Sequence, residues 1–189
     1  MAVDLELVDY LFLINYYGDL LEKFDCGVKE INEEFKKVRD DYSDKRLILL
    51  INKRKEVLGF ASFSFANISL IPLGESPEKS FPALNIDLLA IDKRHKGKRY
   101  GEKILIALLR MALTIDFLVS ITGVHLEAIE DAVDFYEKYG FKDLGEYYPG
   151  RTSTKMFYSI NSLKQTELEI FTNPFSISDK TNDNYKETL

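Results

Sequence analysis

A basic, glycine-containing segment in the middle of the chain has the residue types that bind anions. It reads KRHKGKRYGEK over residues 93–103, with six Lys or Arg and one Glu, and it joins an apolar run at 88–91 to a helical pattern. The first N–H groups of a helix are free to donate, and the helix dipole favours negative charge there, so such a loop can bind phosphate. The segment lacks the spacing of the P-loop and of the GxGxxG motif. A solvated loop is the alternative interpretation.

Hydrophobic periodicity predicts the elements that position this segment. Spacings of three or four residues indicate amphipathic helices, and short unbroken apolar runs indicate strands. The predicted strands are 47–51, 57–65, 86–91, 124–129 and 155–160. The predicted helices are 28–38, 104–118 and 132–139, the last ended by Gly140. Prolines and glycines predict a loop from about 70 to 83, and the order of the elements predicts a mixed α/β fold.

The composition favours one compact domain with an appended tail. The chain has 189 residues, 46% of them hydrophobic and 30% charged, and its formal net charge is −6. We predict a single domain over residues 1–163 and a polar, acidic tail over 164–189. An acidic chain with one basic segment indicates a local anion site and argues against a broad nucleic-acid-binding face.

Other features bear on cellular location and metal chemistry. No run reaches the roughly 18 apolar residues needed to cross a bilayer. The first residues lack the basic start and apolar stretch of a signal peptide, so we expect a cytoplasmic protein. Cys26 is the single cysteine, which excludes an internal disulfide. One cysteine and two histidines argue against a structural zinc site, and we expect no metal.

Three motifs in a fixed order carry a family resemblance. They read LAID at 89–92, KGKRYG at 96–101 and FYEKYGF at 135–141. In this order they resemble the GNAT superfamily of acetyl-coenzyme A-dependent N-acetyltransferases. The family signature is Arg/Gln-x-x-Gly-x-Gly/Ala, and the matching positions are Lys96, Arg99 and Gly101. Arg99 stands where the family has glycine, and Ile129 stands where many members have asparagine. The resemblance implies a mixed, mostly antiparallel central sheet with two splayed central strands and flanking helices.

A closer resemblance is to toxins that acetylate tRNA. The motifs, in chain order, are FDCG at 24–27, LGFASFS at 58–64, LAID at 89–92 and AxxFY at 132–136. Those enzymes acetylate the free α-amine of aminoacyl-tRNA and are neutralised by a small antitoxin. The resemblance implies acetyl-CoA as co-substrate and an amine as acceptor. A toxin-like chain would also have tRNA and an antitoxin as partners, and homodimers are common in such families.

The resemblance also implies residues for the donor site. In the family, pantetheine enters the gap between the splayed strands and pairs with a strand backbone, which places Leu89 and Ile91 beside it. The N–H of Ala90 would be the natural oxyanion donor. Core packing is the alternative role for Leu89 and Ile91, and solvent exposure is the alternative for Lys98 and Arg99. The residues that would surround the diphosphate are Lys96, Gly97, Lys98, Arg99, Tyr100 and Gly101.

Candidate catalytic residues follow from the chemistry of acetyl transfer. The reaction passes through an oxyanion and expels a thiolate, to which a tyrosine with a pKa of about 10 can donate a proton. We predict Tyr136 in this role, with a core aromatic as the alternative. Asp87 and Glu127 are candidates for taking the proton of the amine through water. If strand alternation holds, Asp87 shares a face with Leu89, and His125 shares one with Glu127. An α-amine, with a pKa of about 8, would need little such help.

Three functions fit these predictions. The first is an N-acetyltransferase in which a primary amine attacks acetyl-CoA directly. The second is toxin-type acetylation of aminoacyl-tRNA, which the net charge opposes because a tRNA-binding surface should be broadly basic. The third is a non-catalytic acyl-CoA sensor or interaction module, motivated by the departures at Arg99 and Ile129.

Overall fold

A seven-stranded sheet organises the part of the chain that the structure describes. The computed structural model describes residues 5–9, 23–40, 45–70, 73–76, 79–145 and 152–169. The strands are β1 (Leu5–Asp9), β2 (Arg46–Asn52), β3 (Val57–Ile68), β4 (Phe81–Ile91), β5 (Gly123–Ile129), β6 (Lys142–Asp143) and β7 (Ser153–Ser159). The helices are α1 (Lys29–Asp40), α2 (Tyr100–Leu118), α3 (Val133–Lys138) and α4 (Ile160–Leu163), with short 3-10 turns at Lys93–His95 and Glu130–Ala132. None of these helices has both the length and the hydrophobicity to cross a membrane.

The sheet mixes antiparallel and parallel pairing. Its strand order is β1-β2-β3-β4-β5-β7-β6. Each neighbouring pair is antiparallel except β4 and β5, which are parallel. A parallel pair needs a crossover connection, and α2 supplies it. The predicted α/β class, with a mostly antiparallel sheet and flanking helices, is confirmed.

The predicted elements differ from the observed ones mainly at their ends. β4 begins at Phe81, so the prediction of a loop as far as 83 is wrong at its end. Pro82 is tolerated because it lies near the start of the strand, before the pairing with β5 begins at Ala83. β1 and β6 were not predicted, since β1 has five residues and β6 has two, too few for a clear pattern.

Hydrophobic clusters cover both faces of the sheet. On one face α2 packs through Ile104, Leu105 and Leu108, which are fully buried. On the other face the ring of Phe35 from α1 stacks on Phe60 of β3, with centroids 4.3 Å apart. Burying one such side chain stabilises the fold by roughly 1.5–3 kcal/mol. Packing on both faces therefore holds the central strands in place.

β4 and β5 pair over a short length and then separate. Ala83 to Ile86 pairs with Gly123 to Leu126, and the described residues contain no further pair between these strands. Beyond that point, residues 88–91 of β4 still pair with β3. The two central strands diverge, as predicted, and one backbone edge of β4 faces an opening.

A β-bulge at Asp87 changes the expected alternation of side chains. The register shifts between Ser62 and Phe63 on β3, so Asp87 is an extra residue on β4. Its carboxylate accepts a hydrogen bond from Ser64, which alternates with Phe63 and lies on the α1 face. Leu89, in contrast, packs in the cluster on the α2 face. The expectation that Asp87 shares a face with Leu89 is wrong, because the bulge shifts the alternation by one residue.

The described part of the C-terminal segment contacts the domain. Nε of Arg110 in α2 donates to the carbonyl oxygen of Glu169 at 3.0 Å. Lys164 forms a salt bridge with Asp116, also in α2. The domain boundary at 163 stays a prediction, and residues 170–189 of the tail lie outside the described residues.

Candidate active site

The opening between β4 and β5 forms a cavity of about 470 Å³. Phe135, Lys138 and Tyr139 from α3 and its C-terminal end form part of its wall, so two distant motifs meet here. Lys98 was predicted at this site but is not among the described residues that line the cavity; its ammonium hydrogen-bonds a ring nitrogen of His95. The predicted donor-site residues on the wall are Leu89, Ala90, Ile91, Lys96, Gly97, Arg99, Tyr100 and Gly101.

Backbone groups of β4 alternate between β3 and the opening. The N–H of Asp92 donates to the carbonyl oxygen of Leu58 in β3, at 2.9 Å. In an antiparallel ladder every second residue directs its N–H and C=O to the same partner, so Ala90 also faces β3. Leu89 and Ile91 then face the opening. This alternation fits their predicted backbone role and does not fit the N–H of Ala90 as the oxyanion donor.

A buried carboxylate holds the start of the basic loop. Asp92 is fully buried, and it accepts from Nε and Nη2 of Arg94, both at 2.8 Å. The backbone N–H groups of Arg94 and Asp25 donate to it at 2.9 and 3.2 Å. Burial by itself would raise the pKa of Asp92, but these donors hold it below its usual range. Asp92 thus ties the loop to the segment before α1, which carries Cys26 of the cavity wall.

Acids bind the first two basic side chains of the loop. Nζ of Lys93 lies 2.6 Å from the carboxylate of Asp25. This hydrogen bond is the main reason that the pKa of Asp25 is low and that the pKa of Lys93 is high. Arg94 is bound by a buried acid in the same way. Lys96 and Arg99, in contrast, line the cavity. The positive charge of the loop is therefore divided between ion pairs and the cavity.

Arg99 adopts a backbone conformation that favours glycine. Its φ is 57° and its ψ is 24°, in the left-handed region, immediately before α2. That conformation costs a residue with a Cβ roughly 1–2 kcal/mol. Arg99 thus stands where the family signature has glycine, has the backbone conformation of a glycine there, and brings a guanidinium to that position. Gly97 also has a positive φ, 77°, and no described atom would crowd a Cβ there.

Two tyrosines at α3 differ in their access to the cavity. Tyr136 is buried between Phe135 and Phe141, with ring centroids at 5.0 and 5.7 Å, and burial raises the pKa of Tyr136 to about 12. Tyr136 is not among the described cavity-lining residues, whereas Tyr139 is. The pKa of Tyr139 is raised, first by burial and then by a hydrogen bond to Glu102. Tyr139 was not predicted as a site residue, although its spacing of three from Tyr136 places both on neighbouring helical positions.

A chain of hydrogen bonds connects β4 and β5 near their divergence. Nδ2 of Asn85 donates to Oδ1 of Asp87 at 2.8 Å. In that orientation Oδ1 of Asn85 accepts from Nδ1 of His125 at 2.7 Å. Glu127 is exposed and accepts from Oγ of Ser153. Of the two predicted base candidates, Asp87 lies in a largely buried network at the divergence and Glu127 lies at the surface.

The chemistry of the cavity suits a long anionic ligand with an apolar arm. Its wall combines apolar side chains of β4 with backbone N–H groups and cations at the start of α2. Within the described ranges, no group of three or more His, Cys, Asp or Glu side chains could hold a metal ion.

Comparisons with known proteins agree with this geometry. The model of the acetyltransferase (GNAT) family matches residues 15–141. No curated protein sequence matches the chain significantly. A structure described as a bacterial toxin has a TM-score of 0.74 and 21% identity, over 86% of this chain and 94% of its own. The toxin AtaT complexed with acetyl-methionyl-tRNAfMet has a TM-score of 0.71 and 22% identity, over 85% and 98%. AtaTR bound with AcCoA has a TM-score of 0.66 and 22% identity, over 85% and 96%.

The sequence match and the sheet geometry agree on one family. The matching family model spans more than half of the chain, and the similar structures share its fold. The divergence of β4 and β5 next to the start of α2 provides the cleft that the motifs predict. The chain belongs to the GNAT family of acetyltransferases and is an acyltransferase that uses acetyl-CoA.

Proposed function

We propose that the chain transfers the acetyl group of acetyl-CoA to a primary amine in the cytoplasm, by direct attack of the amine on the thioester. The observation that carries this proposal is the end of the β4–β5 pairing after Ile86 and Leu126, which opens the cavity beside the N-terminus of α2. An open strand edge suits the amide groups of pantetheine, and a helix N-terminus suits a diphosphate. One cleft therefore serves both parts of the donor.

Residues of β4 and the basic loop would hold the donor. The backbone groups of Leu89 and Ile91 face the opening, so they are available to pantetheine. We assign the oxyanion contact to the N–H of Leu89 instead of that of Ala90, because the latter faces β3. Lys96 and Arg99 line the cavity at the helix start, where their charges would balance the diphosphate.

The reaction then follows from the bonds that must change. The nitrogen of the neutral amine attacks the carbonyl carbon, a C–N bond forms and the C–S bond breaks. The nitrogen loses one proton and the departing thiolate gains one, so the products are an amide and free CoA. No covalent bond to the enzyme forms. Asp87 and Glu127 stay the candidates for accepting the proton, and the position of Asp87 at the divergence favours it.

Tyr136 is the proposed donor to the leaving thiolate. With a pKa of about 12 it is protonated at neutral pH. Full proton transfer to a thiolate whose thiol has a pKa near 8.5 would be uphill by about 5 kcal/mol, so we propose a hydrogen bond to the developing charge. The similar structures include tyrosine-to-phenylalanine mutants of the toxins AtaT and KacT. Tyr139 is the second candidate because it lines the cavity.

A pair of matched variants separates the two tyrosines. We expect Tyr136→Phe to lower kcat by about 10²–10³-fold with little change in the KM of acetyl-CoA, because it removes one hydrogen bond to the developing charge. Tyr139→Phe is expected to change kcat less than about threefold. Release of free thiol from acetyl-CoA measures both. The opposite pattern would transfer the role to Tyr139, and unchanged kcat in both variants would remove tyrosine from the mechanism.

Aminoacyl-tRNA is the specific acceptor that the similar structures favour. One of them is AtaT complexed with acetyl-methionyl-tRNAfMet, which would make the α-amine of an aminoacyl group the acceptor here. With this acceptor, tRNA and an antitoxin become partners of the chain, and a second copy of the chain is a further candidate partner. The net charge of −6 opposes a broad tRNA-binding surface.

The binding of acetyl-CoA and the choice of acceptor amine can be tested one after the other. Acetyl-CoA should raise the thermal midpoint of the purified chain in proportion to the logarithm of its concentration above Kd. Acetyl transfer is then screened with aminoacyl-tRNA, polyamines and N-terminal peptides. Transfer to aminoacyl-tRNA with inhibition of translation would establish the toxin-type function. Donor binding without transfer to any amine would favour a sensor, and the absence of donor binding would overturn the proposal.

A further inference from the structure

One histidine on the wall of the donor cavity has no role in the proposed mechanism. His95 is the last residue of the 3-10 turn at Lys93–His95, and its backbone N–H donates to the carbonyl oxygen of the buried Asp92 at 2.8 Å. Its ring is half-buried and lines the cavity beside Lys96 and Arg99. The backbone therefore fixes the position of His95 at the donor.

A contact with Lys98 determines which ring nitrogen of His95 carries the proton. Nζ of Lys98 lies 3.3 Å from Nδ1 of His95. A lysine ammonium has three donors and no acceptor, so Nδ1 accepts this hydrogen bond with its lone pair. In this contact the imidazole is neutral, and its single N–H is at Nε2.

The other histidine of the chain has the opposite tautomer. Nδ1 of His125 lies 2.7 Å from Oδ1 of Asn85, and the amide nitrogen of Asn85 donates to Asp87. Because a side-chain amide oxygen only accepts hydrogen bonds, Nδ1 of His125 carries the proton. The two imidazoles differ because one has a cation as its partner and the other has a carbonyl oxygen.

The N–H of His95 is available to a ligand in the cavity. Nδ1 faces Lys98, which is not among the described residues that line the cavity, and Nε2 lies at the other edge of the ring. Within the described ranges, Nε2 has no hydrogen-bond partner. The ring also lies 6.2 Å from that of Tyr100, the first residue of α2.

A neutral N–H at this place suits a phosphate oxygen. The start of a helix favours negative charge, and a hydrogen bond to a charged acceptor is stronger than one between neutral groups. A neutral imidazole supplies that hydrogen bond without adding a third positive charge beside Lys96 and Arg99, which would repel it.

We propose that Nε2 of His95 donates to a phosphate oxygen of acetyl-CoA and that Lys98 is a positioning residue that acts through His95. This inference rests on the proposed function and adds two residues to its donor subsite. It also gives a role to Lys98, which was predicted at the diphosphate but lies outside the described wall. The diphosphate and the 3′-phosphate of CoA share this chemistry, and the choice of donor in the test separates them.

Two variants of His95 in the full chain test the hydrogen bond. His95→Gln keeps an N–H near the position of Nε2, whereas His95→Asn keeps one only near that of Nδ1. We expect His95→Asn to raise the Kd of acetyl-CoA about tenfold and His95→Gln to raise it less than about threefold. Isothermal titration calorimetry measures both, and the thermal midpoints without donor should equal that of the wild type.

Donors with fewer phosphates identify the oxygen that is bound. A loss in His95→Asn that persists with acetyl-3′-dephospho-CoA and disappears with S-acetylpantetheine assigns the contact to the diphosphate. A loss with acetyl-CoA alone assigns it to the 3′-phosphate. An equal loss with S-acetylpantetheine, which has no phosphate and whose weak binding is followed by NMR titration, would overturn the inference.

A double-mutant cycle tests the route from Lys98 through His95. Lys98→Met should raise the Kd of acetyl-CoA about threefold, and Lys98→Arg, which can also donate to Nδ1, should restore it. In the His95→Asn background Lys98→Met should have no further effect. Lys79→Met makes the same change at an exposed position before β4, at the opposite end of that strand, and should leave Kd unchanged.

NMR of the ring nitrogens measures the tautomers directly. The chain has two histidines, so the spectrum of His95→Gln identifies the signals of His125. At pH 8, where imidazole is ordinarily neutral, we expect the proton at Nε2 in His95 and at Nδ1 in His125. Lys98→Met should populate both tautomers of His95 and leave those of His125 unchanged.

Several outcomes would overturn the inference. They are a proton at Nδ1 of His95, an unchanged Kd in His95→Asn, and a loss of affinity that follows a fall in thermal midpoint. Independent effects of His95→Asn and Lys98→Met on Kd would show that Lys98 acts through its own charge, against the proposed route. A wild type that binds no acetyl-CoA would overturn the proposed function as well, whereas normal binding with an unchanged Kd in His95→Asn overturns this inference alone.

Discussion

The two halves of the basic loop have the same residue types and different roles. In the first half, Lys93 and Arg94 are bound by Asp25 and Asp92. In the second half, Lys96 and Arg99 line the donor cavity. The difference comes from acids outside the loop, since Asp25 lies far earlier in the chain than Lys93. The number of basic residues in a loop therefore does not give the positive charge available to a ligand until the ion pairs of the loop are known.

Two double variants that each remove two positive charges test this division most strongly. We expect Lys96→Ala with Arg99→Ala to raise the Kd of acetyl-CoA about 100-fold, with little change in thermal midpoint, because each missing cation weakens donor binding about tenfold. Lys93→Ala with Arg94→Ala should change Kd less than about threefold. Isothermal titration calorimetry measures both.

The second double variant should instead lose stability. Without Arg94 the buried carboxylate of Asp92 keeps no cationic partner, at a cost of about 2 kcal/mol after allowing for the half-exposed guanidinium. For a chain of this length that lowers the thermal midpoint by roughly 4–8 °C. Equal weakening of donor binding in both double variants would show that the loop acts through its total charge.

Replacement of Asp92 tests the structural half of the loop through the pH dependence of the free energy of unfolding. Asp92→Asn should lower the free energy of unfolding by about 2 kcal/mol at pH 7, because the amide presents donors to the donors around it. The pKa of Asp92 in the folded state lies below its unfolded value, so its carboxylate stabilises the fold above a pH of about 4. That contribution is lost as the pH falls through the folded pKa. Urea unfolding from pH 7 to pH 3 should show the difference from wild type shrinking below about pH 4, and a constant difference would contradict the assignment.

The smallest expected effect concerns the strained start of α2. Arg99→Gly relieves the left-handed conformation and should stabilise the fold by about 1 kcal/mol, or roughly 2–4 °C in thermal midpoint. It also removes a cavity cation and should raise the Kd of acetyl-CoA about tenfold. Arg99→Ala is the matched control, with the same loss of affinity and no gain in stability. Equal thermal midpoints for the two variants would show that the backbone is not strained there.

Local patterns account for the parts of the fold that could be predicted. The period of α2 and the apolar runs of β2 to β5 depend on neighbouring residues, so their elements follow from the chain itself. The start of β4 could not be predicted in this way. Pro82 favours a loop unless it is known to lie near the start of a strand. The face on which Asp87 lies also could not be predicted, since it depends on a bulge in the pairing with β3.

The candidate site shows the same limit. Of the nine residues that the motifs predicted for the donor, eight line the cavity and Lys98 does not, while other wall residues such as Cys26 and Lys138 were not predicted for it. They pointed to Tyr136, whereas Tyr139, three residues further on, is the tyrosine that lines the cavity. The ring of Phe135 contacts both tyrosines, and Phe141 packs on Tyr136.

The amino-acid sequence by itself determined the class of fold, the family and the position of the donor loop, because residue type, period and motif order express these directly. The tertiary structure decided which cations reach the cavity, which backbone N–H faces the opening and which face of the sheet carries Asp87. Each of those properties depends on contacts between segments that are distant in the chain, as with Asp25 and Lys93 or Ser64 and Asp87. The same residue types are then structural or functional according to what the fold places beside them.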